Sequence, residues 1–267
     1  MTNPITRKVA KCEDVGAKEH ITYKGIAVKV IFFLLFCAVG IGVFQILKEL
    51  GPKTGVADFT IKETFLVSVE NIRLAGMIGL LVALVLFIVS PIVTAFKKGT
   101  APFNGVLYCT ATGYIVAFTG AAVADFRLPI FAAFCLTIAL FIALALIYST
   151  GKIKVTAKFK SAFFGVLLAS LLFSLLLFIF SLIPPLRFIP EFFRANTVLG
   201  IVFSVIGLII AVIFVIVDFS VIQEAVDRKL PKEYEWFCAY ALTFSLIYLY
   251  FKILDILLRV LGKSKSK

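Results

Sequence analysis

Histidine is nearly missing from this chain: among 267 residues only His20 carries an imidazole. There is accordingly no HExxH pattern, no His/Cys cluster and no Ser-His pairing, which excludes most metal-dependent and serine-type hydrolases. Charge is scarce too. Asp, Glu, Lys and Arg make up 16% of the residues, where a soluble domain carries about a quarter. The cysteines Cys12, Cys37, Cys109, Cys135 and Cys238 are scattered, and three of them lie inside apolar runs. They form no disulfide framework or zinc spacing and read as small core hydrophobes. No Gly-rich phosphate loop follows a strand, because no segment reads as a strand. Neither catalysis nor a cofactor is expected.

What the chain has in abundance is apolar surface. Hydrophobic residues reach 61% and Phe alone contributes 29, with a mean hydropathy of +1.08, so a water-soluble globule is excluded. Runs of about 20 apolar residues, each able to cross a hydrocarbon core of roughly 30 Å, recur along the chain. The expected fold is all-α, a polytopic bundle with seven transmembrane helices at 26–48, 73–96, 102–124, 128–149, 162–184, 197–226 and 232–261. The breaks between them carry charge or helix breakers, among them Gly51-Pro52, Lys97-Lys98-Gly99, Pro184-Pro185 and Leu230-Pro231. The first loop, 49–72, is the only long one and is expected to form a small amphipathic helix around Asp58, Glu63 and Glu70. The chain thus divides into a polar N-terminal segment (1–25), the transmembrane domain (26–261) and a basic tail (262–267). Residues 1–25 lack a secretory cleavage pattern, so the first helix is expected to stay in the mature protein.

The formal charge of +12 would suggest nucleic acid in a soluble protein. Here it reads as basic loops facing anionic lipid, and the expected partner is the bilayer, not nucleic acid. Loops on the N-terminal side hold fourteen Lys and Arg against nine on the other, the tail included. That excess places the N-terminus in the cytoplasm. Small residues at helical spacing, Gly76 with Gly79, Gly113 with Gly120 and Gly200 with Gly207, read as close helix contacts.

Ionisable residues inside the spans are few, and each needs a partner or an escape to water. Asp218 ends the apolar run 197–217, yet the helix continues past it toward Gln223. It is either a solvated residue at the head-group boundary or the mouth of a polar cavity, where it would act as a pH-sensitive gate or cation ligand. The last span carries Lys252, Asp255 and Arg259 on one face, and Asp255 can pair with both bases. The simpler reading is a terminal turn whose bases snorkel to the interface. Tyr234, Trp236 and Tyr240 fit an interfacial aromatic belt.

Several ordered segments resemble bacterial members of the Bax inhibitor family. These are Thr22-Tyr-Lys-Gly-Ile26, Thr150-Gly-Lys-Ile-Lys-Val-Thr156, Val217-Asp-Phe-Ser-Val-Ile222, Pro231-Lys-Glu-Tyr-Glu-Trp236 and Leu246-Ile-Tyr-Leu-Tyr250. The resemblance implies a seven-helix fold in the bacterial inner membrane and, in some members, a pH-dependent calcium leak. That leak is attributed to two aspartates sharing a proton and a gating Arg. Two carboxylates so close cannot both ionise easily, and the pair becomes a proton sensor. Asp218 matches the first aspartate and is the candidate ion ligand. The second is missing: one alignment puts it at Thr243 or Phe244, another at Lys252. With the turn centred near Leu230, Asp218 lies about 18 Å along its helix, level with Leu242 or Thr243, and Lys252 sits roughly 13 Å deeper. Thr243 is therefore the expected neighbour. Lys97 and Lys98, near the family's Arg region, and Lys252 are the candidate basic partners. A calcium or other cation leak is one implied function. The alternative is a non-conducting regulator that binds a membrane protease or other integral partner.

The orientation is open to test: a reporter fused near Asn3 or within 152–160 is expected to read cytoplasmic, and one within 184–194 external. Inverted reporters would overturn the assignment.

Overall fold

The computed structural model describes residues 20–50, 74–122, 127–149, 155–186, 188–190 and 198–264. Among them are seven α-helices longer than twenty residues: α1 (Tyr23–Leu50), α2 (Leu74–Phe96), α3 (Ala101–Ala122), α4 (Arg127–Ser149), α5 (Ala157–Leu182), α6 (Val198–Asp227) and α7 (Tyr234–Ser264). Each covers an expected apolar run, α5 starting five residues early because Thr156 caps it by accepting from the Phe159 amide. Short 3-10 turns, Lys98–Thr100 and Pro184–Leu186, stand at two of the expected breaks. No strand occurs among the described residues beyond an isolated bridge between His20 and Pro231. The amphipathic helix expected in 49–72, most of the N-terminal segment and the end of the basic tail lie outside the described residues.

Five helices are long and apolar enough to cross a membrane: Tyr23–Glu49, Ala75–Phe96, Leu128–Ile147, Gly200–Asp227 and Tyr234–Val260. Their outer faces carry large bare apolar side chains such as Leu35, Ile46, Leu81 and Leu146, each about 60% exposed or more. Water would not tolerate that much bare hydrocarbon, and lipid does. The protein is an integral membrane protein. α3 stands apart from the five in composition, with Asn104, Thr110, Thr112, Thr119 and two tyrosines along its length.

The chain forms two compact units, residues 1–130 with 221–244 and residues 131–220 with 245–267, so α6 and α7 each contribute to both. In the first unit α3 is the core element. It runs in the same direction as α1, pairing Phe33 with Gly105, Cys37 with Cys109 and Phe44 with Tyr114 and Phe118 at 5.4 and 5.9 Å between ring centroids. Two glycines bring the backbones together. A methyl group at Gly40 would overlap the Thr110 carbonyl, and one at Gly113 the Cys37 carbonyl. Lipid offers helices no hydrophobic drive to associate, so this close packing has to supply the attraction. On the other flank Tyr114 donates to the Gly76 carbonyl at 2.8 Å, and its ring end lies against Gly79. Among the expected small-residue pairs Gly76, Gly79 and Gly113 therefore sit at helix contacts, whereas Gly40 escaped notice.

Pro91 removes one backbone donor inside α2. Beside it runs a buried polar chain: Asn104 donates to Thr94 and Thr100, both at 2.9 Å, and Thr94 donates to the Ser90 carbonyl. α6 ends in a Schellman motif, with Leu230 N–H donating to Ala225 O and Lys229 N–H to Val226 O. Lys229 holds the left-handed position, φ +51°. Tyr240, expected at the interface, is instead buried against Tyr108 and Phe33. In the second unit Phe141 stacks on Phe219, Phe163 meets Phe214 and Phe173 meets Phe203.

The crossing predicts a graded response. Gly113→Ala and Gly40→Ala should each cost about 1–3 kcal/mol through overpacking. Gly42→Ala, where nothing lies within 4 Å, should not lower stability. Thermal unfolding in detergent checks all three, and equal midpoints would refute the crossing.

Candidate functional site

In the second unit α6 and α7 run antiparallel and share a seam. On α6, positions 200, 204, 207, 211, 214 and 218 recur at intervals of three and four; on α7, positions 245, 248, 252, 255 and 259 do the same. Such intervals keep residues on one helix face. The register is visible in four contacts. Asp218 hydrogen-bonds Ser245, Phe214 meets Tyr248 at 6.3 Å, Gly207 lies under the Lys252 stem, and Ser204 donates to Asp255 at 2.6 Å. The small residues Gly207 and Ala211, the latter fully buried, leave room on α6 for the longer side chains of α7.

Asp218 is 8% exposed, so the solvated head-group reading does not hold. Its Oδ2 is buried with no hydrogen-bond partner among the described residues. Desolvating an acceptor without a partner is costly, and more so for a charged one. The hydroxyl that reaches it belongs to Ser245, not Thr243. Thr243 is buried as well, but it donates to the Ala239 carbonyl of its own helix at 2.8 Å. The expected depth was close, since two residues are about 3 Å along an axis. Its direction was not: two residues turn a helix by about 200°.

The charged face of α7 also differs from the expected ladder. Asp255 pairs with Arg259 at 3.1 Å and takes Ser204 on its other oxygen. Lys252 makes no ion pair with a described residue. Its ammonium lies 5.3 Å from the centroid of the Tyr248 ring, one turn back along α7, and its stem rests on the bare backbone of Gly207. A cation over an aromatic face gains electrostatic attraction without a counter-ion. Lys97 and Lys98 are exposed at the α2–α3 turn in the first unit, where Lys98 lies 5.0 Å from the Phe237 ring centroid.

The sequence reading missed a second polar centre, in the first unit. Glu235, fully buried, accepts from the Thr22 amide at 2.9 Å and the Thr22 hydroxyl at 3.0 Å, and it forms an ion pair with Lys29. Thr22 is the N-cap of α1, its hydroxyl accepting from the Gly25 amide at 3.0 Å. In a capping box the third residue of the helix is a Glu that reaches back to the cap amide. Here that residue is Gly25, and a side chain on it would collide with the Glu235 carboxylate. The box is completed in trans by α7. His20 bonds the Lys229 carbonyl at 3.0 Å, Ile21 N–H donates to Leu230 O at 2.9 Å, and Trp236 packs between Lys29 and Phe33. The only clue in the sequence was a capping Thr followed by Gly where a Glu belongs.

The geometry thus joins two segments, 22–26 and 231–236, that lie more than two hundred residues apart. A family model described as Bax inhibitor 1 like matches residues 3–262, nearly the whole chain. The chain belongs to the Bax inhibitor 1 like family. No curated protein and no solved structure matches it. Among the described residues of this Bax inhibitor 1 like protein, no group of three or more His, Cys, Asp or Glu side chains is placed to hold a metal ion.

Glu235→Gln should destabilise the protein by about 3–5 kcal/mol, because it leaves the Lys29 ammonium without its counter-charge. Pairing it with Lys29→Met should recover part of that loss. Denaturant unfolding in detergent reads both, and additive losses would mean that the two groups do not act as a pair.

Proposed function

We propose that this Bax inhibitor 1 like protein is a seven-span, pH-responsive cation leak of the bacterial inner membrane, its N-terminus cytoplasmic and Asp218 its sensing acid. The observation that carries the reading is the buried Asp218 carboxylate, bonded to Ser245 and left with an unsatisfied oxygen. An ionisable group kept inside a span against its insertion cost is a functional candidate by default. It changes charge with pH, and in its ionised form it offers an oxygen to a passing cation. Calcium fits as cargo. One carboxylate and one hydroxyl fall short of the 6–8 oxygens of a retained calcium ion, so the cation would pass without being held. A second acid, Asp255 with Ser204, stands fourteen positions from Ser204 to Asp218 along the same seam, about 21 Å of helix.

A second reading has its own support. Lys252 places a tethered cation between the two acids, and a hydroxyl stands opposite Asp218 where a paired carboxylate would make a proton-sharing dyad. Both features suit a non-conducting regulator that binds a membrane protease or another integral partner. Neither reading includes catalysis.

Calcium flux into proteoliposomes separates them. On the leak reading the wild type conducts differently at pH 6 and pH 8, and Asp218→Asn, which mimics the protonated acid, conducts with most of that difference gone. Ser245→Asp should move the response to higher pH, because two facing carboxylates cannot both ionise easily and one of them keeps its proton longer; Thr243→Asp should not. Wild-type flux equal to that of empty liposomes at every pH would leave the regulatory reading.

A further inference from the structure

The α1–α3 crossing holds two thiols in contact. Cys37 on α1 and Cys109 on α3 are hydrogen-bonded to each other, and both are free. The helices are parallel here, and two glycine-mediated backbone approaches lie just beyond the pair. The Cys37 backbone lies against Gly113, one turn beyond Cys109, and Gly40 lies against Thr110, the residue after Cys109. A disulfide needs Cα atoms about 4.4–6.8 Å apart and Cβ atoms about 3.5–4.5 Å apart. Ordinary helix packing, with axes roughly 8–10 Å apart, meets this poorly; glycine-mediated contact lets the two backbones approach more closely than that. The two residues also differ in exposure. Cys109 is fully buried, whereas Cys37 is partly exposed on the surface of α1. That helix is apolar enough to span the bilayer, and Ile31, Leu35 and Val39 on it are exposed. A reagent reaching Cys37 therefore comes from the lipid phase.

We propose that Cys37 and Cys109 are a redox-active dithiol that a quinone dissolved in the bilayer oxidises to a disulfide stapling α1 to α3. The sulfur of Cys37, the more exposed of the two residues, adds to a ring carbon of the quinone, and its proton passes to a quinone oxygen. The Cys109 sulfur then attacks the Cys37 sulfur. The S–C bond breaks, its electron pair returns to the ring, and the proton lost from Cys109 completes the hydroquinone. Two thiols become one disulfide while one quinone takes up two electrons and two protons. Cys109 thus acts as the resolving thiol, poised beside the attacking one as in other redox-sensing pairs. The staple ties together the two helices whose crossing organises the first unit, and a thiol reductant reverses it.

The full-length protein in liposomes containing a short-chain ubiquinone tests this. After quenching and unfolding, maleimide should label three of the five cysteines, and peptide mapping should recover α1 linked to α3 through Cys37 and Cys109. Dithiothreitol should restore five. Cys37→Ser and Cys109→Ser should each keep four labelled thiols with or without quinone. The linked peptide from the wild type decides the matter even if a variant fails to fold. Five labelled thiols after quinone, or a linkage through Cys12, Cys135 or Cys238, would overturn the proposal.

Discussion

Hydrocarbon cannot hydrogen-bond, so every polar group carried into a span has to find its partner inside the protein. The backbone meets this demand by forming helices, and the short hydroxyls meet it by turning back on their own helix. Thr112, Thr119, Thr137 and Thr243 each donate to the carbonyl four residues before them. Such hydroxyls are satisfied and recognise nothing. Against that background the side chains that bond between helices stand out: Asn104, Tyr114, Glu235, and the Ser204–Asp255 and Asp218–Ser245 pairs. All but one are satisfied. Asp218 retains an oxygen with no described partner, as do the hydroxyls of Tyr240 and Tyr250 on α7, and of these three it alone is a carboxyl, able to change charge by protonation or to take a cation.

The two polar centres solve different problems. Glu235 is surrounded by donors: the cap amide and hydroxyl of α1 and the Lys29 ammonium, which also lies over the Trp236 ring. A carboxylate at a helix N-terminus also meets the positive end of the helix dipole. That site is closed and complete, and its effect is to set where α1 begins relative to the α6–α7 turn. The α6–α7 seam is open by comparison. It carries acids at two depths, a cation over an aromatic ring, and small residues on α6 that the longer side chains of α7 pack against. A structural network is satisfied to the last lone pair; the seam is not, which is why function is assigned there.

Family membership and the seam constrain each other. A proton-sharing pair needs two carboxylates at one depth and on facing sides, and this protein has Asp218 with a serine opposite. A single acid titrates where its own burial sets it, whereas in a pair the second charge raises the pH at which the shared proton leaves. Lys252 adds a fixed charge where a permeating cation would cross. On the leak reading proposed above, both features would make conduction weaker or more tightly gated than a dyad would.

The positions of the helices were legible in the sequence, because hydrophobic run length and the placement of Pro, Gly and charge respond to the bilayer rather than to neighbouring helices. So were the unusual placement of Asp218, an ionisable residue in an apolar run, and the close contacts of several of the paired glycines. Direction around each helix was not legible. Thr243 and Ser245 sit within about 3 Å of one another in depth, yet only the packing of α7 on α6 decides which of them faces the acid. Likewise nothing local to Thr22 or Gly25 announces that the missing cap carboxylate arrives from residue 235, and nothing local to Cys37 announces a second thiol at 109. Burial along a span is a property of one segment and its solvent. A pairing depends on the rotation and register of two segments, and these exist only once the chain has folded.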